Sequence, residues 1–165
     1  MATYFVDASG TSPGGYTNFA GLVAAVTLLD GDIIEVVDNG TIDDSAAVIN
    51  FTVFGLISVT IRSYASNVSR PTIQTKQNDY GMKICDGYKI QNLKFLKNSM
   101  AGTNAPHISV WEAGPSGGEV TGCFFQQTNT AYHTGYAVYV LTNFGTHNFK
   151  ICNNECVNTG LVSMN

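Results

Sequence analysis

Charge is what this sequence has least of. Only 12% of its 165 residues are Asp, Glu, Lys or Arg, about half the share of an average soluble protein. It holds two arginines, Arg62 and Arg70, and no basic cluster, and its net charge is −4 with a pI near 5.1. Without a cationic patch there is little to displace counterions from a phosphate backbone, so nucleic acid is not an expected partner. The same absence argues against attraction to an anionic membrane. No apolar run approaches the roughly 18 residues of a membrane span, so no insertion is expected. The opening "MATYFVDASG" lacks the basic-then-apolar order of a secretion signal. The four cysteines, Cys85, Cys123, Cys152 and Cys156, form no CxxC and no paired Cys/His spacing for zinc. Buried free thiols are the expectation for them.

Polarity comes instead from Asn, Thr, Ser and Gly, beside a hydrophobic share of 44%. Exposed helices usually carry Glu, Lys and Arg, so this balance favours strands and turns. "TYFVDA" alternates as a strand does, and "SGTSPGGYT" follows as a loop. "TNFAGLVAAVTLLDGD" carries the one good helical pattern, with Phe19, Leu22, Val23, Val26 and Leu29 at three- and four-residue steps. This predicts a helix over Asn18–Leu29, capped by Thr17 or Asn18 and stopped at Gly31. "DIIEVVDNGTI" reads as a strand closed by a turn at Asp38-Asn39-Gly40. From Ala46 onward only short apolar runs are found, among them "AVINFTVFG", with no helix expected.

Those runs repeat. Ile90, Val120 and Ile151 are 30 and 31 residues apart, and in that register Asn92, Gly122 and Asn153 coincide, as do Phe95, Phe125 and Cys156. A second set, Ile84, Val110 and Val140, is spaced by 26 and 30. "LISVTIRSYASN" with "PTIQT" looks like an earlier copy. A helix-free repeat of about 30 residues is the signature of a parallel β-solenoid. Stacked coils place equivalent residues in ladders about 4.8 Å apart. Asn or Gly then falls at the corner, where the backbone turns left-handed. The expected fold is therefore all-β, a right-handed parallel β-helix (solenoid) with a short N-terminal capping helix. One domain spans 1–165, with cap strand and helix in 1–32 and about four to five coils in 33–165. Nothing in the last residues, "CVNTGLVSMN", reads as a cap, so the expectation is a fragment of a longer β-helix, or self-association through that end.

The order of "TYFVDASG", a Gly/Pro loop, an apolar helix and "DGDIIEVVDNGTI" resembles the N-terminal cap and first coil of the right-handed parallel β-helix, or pectate-lyase-like, superfamily. The Ile90–Asn92–Phe95 phrase is similar to its repeats, and the likeness covers nearly the whole chain. It implies the fold and admits several functions: polysaccharide lyases with calcium-binding acids and a nearby Arg or Lys, hydrolases with an aspartate cluster, phage tailspikes and surface proteins. "SRPT", containing Arg70, is loosely reminiscent of a lyase motif.

Candidate chemistry is sparse. Lys89, Glu119 and Lys150 precede the three anchors and should stack plus, minus, plus, pairing across coils and fixing register. The Ile84 register sets Asp86 beside Glu112, with Thr142 next. Two such carboxylates could act in glycoside cleavage or bind calcium, although turn acids in solvent is the simpler account. Asp43-Asp44 is expected to be a solvated turn. His107, His133 and His147 share no spacing and are expected at the surface or packed in loops. Trp111, Tyr132, Tyr136 and Tyr139, with Phe144, are the candidates for stacking on sugar rings; internal packing is the alternative. Asn39, Asn50 and Asn67 match the glycosylation acceptor pattern.

The expected function is a rigid scaffold or adhesive module of an extracellular, cell-surface or phage and virion-surface protein that touches a polysaccharide or surface glycan. Catalysis is not favoured for this chain, and no cofactor beyond calcium is expected. The alternatives are a polysaccharide lyase or glycoside hydrolase using Asp86 and Glu112, and a filament subunit joined through solenoid ends.

Overall fold

The computed structural model describes residues 1–97, 105–114, 117–128, 136–141, 147–157 and 160–164. After β1 (Thr3–Asp7) and the helix α1 (Phe19–Ala25), the chain winds through five stacked coils of three strands each. The first coil holds β2 (Ile33–Val37), β3 (Thr41–Asp44) and β4 (Ile49–Asn50). The second holds β5 (Thr60–Ser63), β6 (Thr72–Thr75) and β7 (Met82–Ile84), and the third β8 (Lys89–Gln91), β9 (Lys94–Lys97) and β10 (Ile108–Val110). The fourth holds β11 (Gly118–Thr121), β12 (Phe124–Gln127) and β13 (Tyr136–Val140), and the fifth β14 (Phe149–Cys152), β15 (Glu155–Val157) and β16 (Gly160–Met164). Each strand pairs in parallel with its counterpart one coil away. This makes three sheets: A (β1-β2-β5-β8-β11-β14), B (β3-β6-β9-β12-β15) and C (β4-β7-β10-β13-β16). The molecule is a parallel β-solenoid.

Strand alternation sends one set of residues into the lumen, and the register stacks them. Ile34, Ile61, Ile90, Val120 and Ile151 form the sheet A ladder. Ile42, Ile73, Phe95, Phe125 and Cys156 form that of sheet B. Ile84, Val110 and Val140 lie in sheet C. All three repeat registers expected from spacing are therefore present, and those of sheets A and B extend two coils further back, to Ile61 and Ile34 and to Ile73 and Ile42. Phe95 and Phe125 stack with their planes 11° apart and centroids 5.3 Å apart. Burying each such ring is worth about 1.5–3 kcal/mol.

The corner between sheets A and B explains the Asn/Gly pattern. Asn92 (φ 55°), Gly122 (φ 65°) and Asn153 (φ 56°) all adopt the left-handed backbone. Gly122 is glycine for a second reason: a Cβ there would lie 2.2 Å from Asn92 Oδ1. The neighbouring asparagines brace the corners. Asn154 donates to Val120 O (2.9 Å) and accepts from the Cys123 amide (2.8 Å). Asn67 does the same to Val36 O and the Asp38 amide.

The N-terminal end is closed by α1, shorter than the expected Asn18–Leu29 because the backbone is already extended at Val26. Phe19 and Leu22 face inward and are fully buried, and Phe19 meets Phe51 edge-on at 6.1 Å. Asn18 is the N-cap, accepting from the Gly21 amide at 2.7 Å. The two amides before it go to Asp44, from Phe19 at 3.0 Å and Ala20 at 2.8 Å. Asp44 is thus a buried helix anchor, not a solvated turn residue; only Asp43 of that pair is exposed. Inside "AVINFTVFG" the chain makes a 3-10 turn, Phe51–Phe54, rather than one strand, because Asn50 caps the Thr52 amide.

The charged ladder aligns as expected, Lys89 with Glu119 with Lys150. Its side chains do not pair: Glu119 accepts from Gln91 Nε2 at 2.5 Å. Cross-coil pairing on this face occurs earlier, where Arg62 donates to Glu35 at 2.8 and 3.1 Å. Cys85 and Cys123 are buried and Cys152 and Cys156 half-buried, all as free thiols. No helix among the described residues is long and apolar enough to cross a membrane.

Candidate functional site

The outer face of sheet C gathers side chains that could meet a ligand. Outward positions Asn50, Lys83, Ser109 and Tyr139 stack in register. Trp111, two residues after Ser109, returns to the same side, and its Nε1–H donates to Ser109 Oγ at 2.9 Å. Tyr80 comes in from the turn before β7 and meets Trp111 edge-on, centroids 5.4 Å apart. Lys83 Nζ sits over both rings, 4.2 Å from the Trp111 centroid and 4.7 Å from that of Tyr80. Each exposed cation–π contact of this kind contributes about 0.5–1 kcal/mol. The register sets Tyr139 beside Ser109, and burial, then Tyr139 and Asp79, raise the Tyr80 hydroxyl above its ordinary pKa.

The expected aromatic set is thereby divided. Trp111 and Tyr139 share the face, but alternation along β13 puts Tyr136 on the opposite side from Tyr139. Tyr132 and Phe144 lie outside the described residues, as do Thr142 and His133. Tyr80 and Lys83 were missed by sequence reasoning. Lys83 could have been found from its place one residue before Ile84. Tyr80 sits in a loop and has no period to betray it.

Asp86 and Glu112 do align across the turns from sheet C to sheet A, with the Asp86 amide donating to Glu112 O at 2.9 Å. Their carboxylates have different surroundings. Glu112 is exposed, and near it burial pushes the Cys85 thiol up to about 12, with help from the carboxylates of Glu112 and Asp86. Asp86 is buried, and both of its oxygens are engaged. Oδ1 meets His147 Nδ1 at 2.9 Å, and Oδ2 accepts from the Gly114 amide (3.1 Å) and the Asn148 amide (3.3 Å). His147 Nε2 in turn faces Leu141 O at 2.7 Å. Asp86 therefore ties together three successive turns and does not face a bound sugar or ion from the outside. The described residues contain no group of three or more His, Cys, Asp or Glu that could hold a metal.

A second polar cluster lies inside the lumen. Lys97 is fully buried and donates to Asp79 O and to Ala105 O (3.1 Å). Burial lowers its ammonium from 10.5 to about 7, with Asp79 working the other way. His107 is also fully buried rather than at the surface, 5.5 Å from the Phe125 ring, and neither ring nitrogen has a hydrogen-bond partner. Burial, then the charge of Lys97, holds its pKa well below the usual value.

Of the three glycosylation-pattern asparagines, Asn67 and Asn39 use their side-chain nitrogens internally, Asn39 toward Asp7 and Ser9. On sheet B, Arg70, Lys94, Phe124 and Glu155 line an open groove that the sequence did not announce. Compared with known proteins, the chain matches no family model, no curated protein and no solved structure.

Proposed function

We propose that this β-solenoid is a rigid scaffold and adhesive module of an extracellular, cell-surface or virion-surface protein, in the manner of the pectate-lyase-like superfamily, and that it contacts glycans through the outer face of sheet C. The observation that carries this is the Trp111 indole, held by Ser109 at its nitrogen and by Lys83 and Tyr80 at its ring. Sugar rings bind by laying C–H surface on an aromatic while hydroxyls find polar neighbours. An indole already fixed in place loses little rotamer freedom on binding. Lys83 and Asn50 stand along the same ladder to meet hydroxyls, while the buried Ser109 serves only to hold the indole. The strands below are paired on both sides, so the platform does not deform.

A glycosidase or lyase arrangement has less support, because Asp86 spends both oxygens on internal partners. The test is a glycan-array screen of the wild-type chain beside Trp111→Ala. Binding to a defined glycan set, lost in the variant, is the expected result. Wild-type binding that survives Trp111→Ala, or no binding at all, rules out this face.

A further inference from the structure

We propose that Asn39–Gly40 is a site of spontaneous modification, at which the asparagine amide is exchanged for a carboxylate that faces Asp7 and unlocks the loop leading to the capping helix. This site lies at the N-terminal end of the solenoid and does not depend on the glycan reading.

Asn39 is the only asparagine of the sequence that is followed by glycine. Both residues are exposed, in the turn between β2 and β3, and Gly40 has φ 150°. Glycine has no side chain to shield its amide nitrogen. That nitrogen can attack Asn39 Cγ. A C–N bond forms, the Cγ–Nδ2 bond breaks, and Nδ2 leaves as ammonia with the proton from Gly40. Water then opens the succinimide ring at either carbonyl, giving aspartate or isoaspartate. Asparagine and water go in, and a carboxylic acid and ammonia come out, with no redox change.

The consequence lies in what Asn39 holds. Its Nδ2 donates to Asp7 Oδ1 and to Ser9 Oγ (2.9 Å). Asp7 is fully buried and gathers the loop after β1. Its Oδ1 takes the amide and hydroxyl of Ser9 at 2.9 and 2.7 Å. Its Oδ2 takes the amide and hydroxyl of Ser12 at 2.7 and 2.6 Å, and the Thr11 hydroxyl at 3.3 Å. Burial works to raise the Asp7 pKa, but the hydrogen bonds from Ser12, Ser9 and Asn39 outweigh it and hold the carboxyl well below its usual range. Asp7 is therefore ionised when Asn39 is converted. A carboxylate at position 39 has no hydrogen to give, and it sets a second negative charge against the first. The same loop is tied to β1 by the Asp7 amide on Tyr16 O and the Tyr16 amide on Phe5 O, each at 2.8 Å. It runs on to Asn18, the cap of α1. Loosening the loop thus loosens the closure of this end.

Prolonged incubation of the whole chain at mildly alkaline pH, followed by peptide mass mapping, tests the site. Conversion is expected at Asn39 ahead of the chain's other asparagines. Thermal melts at neutral pH then read the consequence. Asn39→Asp should melt about 4–8 °C below wild type, the shift of a lost hydrogen bond plus a like-charge contact in a chain of this size. Asn39→Ala, which removes the donor without adding charge, should fall less. Asp7→Asn combined with Asn39→Asp sets amide and carboxylate opposite one another again, with their places exchanged, and should recover part of the loss. Another asparagine converting first, or none converting, overturns the site. Asn39→Asp that melts with wild type, or that melts with Asn39→Ala and gains nothing from Asp7→Asn, overturns the unlocking.

Discussion

Asp86 and His147 are 61 positions apart and meet at 2.9 Å, both buried, in turns that lead from sheet C to sheet A. Removing the imidazole leaves a carboxylate oxygen without a partner where water does not reach. His147→Ala should therefore destabilise by about 3 kcal/mol, the scale of breaking a buried pair from one side. Urea unfolding of the two proteins measures this. A change under about 0.5 kcal/mol, the size of an ordinary surface substitution, would show that the contact does not hold the turns.

The corner geometry gives a second test. Gly122→Ala puts a Cβ 2.2 Å from Asn92 Oδ1 at a backbone of φ 65°, and should cost about 2–4 kcal/mol from clash and strain together. Adding Asn92→Gly removes the clash and leaves the strain. The two changes should therefore couple by about 1 kcal/mol or more in a double-mutant cycle. Strict additivity would place the cost in the backbone alone.

Asp44→Ala strips the acceptor from two amides at the start of α1, one of them buried. The expected loss is about 1–2 kcal/mol, as for other N-terminal caps. Asp44→Asn, which keeps one acceptor oxygen, should lose less. Thermal melts of the three proteins order them. If Asp44→Asn is the less stable variant, the carboxylate acts through its charge and not as a cap.

Lys97 and His107 make stability depend on pH. Both are bases whose folded pKa is lowered by burial, Lys97 to about 7 and His107 well below 6.5. The unfolded chain therefore binds more protons than the folded one, and stability rises with pH. His107 acts below pH 6.5 and Lys97 between about 7 and 10.5. Opposing terms enter from about pH 9, where unfolded Cys85, Cys123 and then Tyr88 ionise while burial keeps their folded pKa values high. Between pH 7 and 9 the unfolding free energy from urea titration should climb, by at most about 1.4 kcal/mol per pH unit. Lys97→Met, which keeps the stem and removes the charge, should flatten that slope. A wild-type profile already flat over this window would mean that Lys97 stays charged in its site.

The fold was legible wherever the structure repeats itself. Ile90, Val120 and Ile151 announce their ladder because stacking demands similar shapes at a fixed spacing, and Asn92, Gly122 and Asn153 announce the corner because few residues tolerate it. The site was legible only in part. Trp111 stood out as the single tryptophan, but its partners Tyr80 and Lys83 belong to a turn and to an outward ladder, where composition is little constrained. His147, Arg70 and Asp44 act through contacts 61, 85 and about 25 positions away. Such contacts depend on how loops lie over the coils, and no local period records that. Glu112 shows the converse: the register placed it correctly beside Asp86, yet register says nothing of which carboxylate water can reach.

A stack of coils touching only its neighbours would, if pulled along its axis, peel one coil at a time, each yielding at its own small force. Among the described residues, Arg70 and Asp86 make contacts that skip levels. Arg70 grips Glu155 across three coil steps, and Asp86 holds both Gly114 and His147, one and two turns further along. The buried Asp86–His147 contact therefore carries load from the turn before the fifth coil at once into the third, to which the exposed Arg70–Glu155 pair adds little. The molecule should answer tension as a short braced rod and yield in one larger event, instead of uncoiling like a spring.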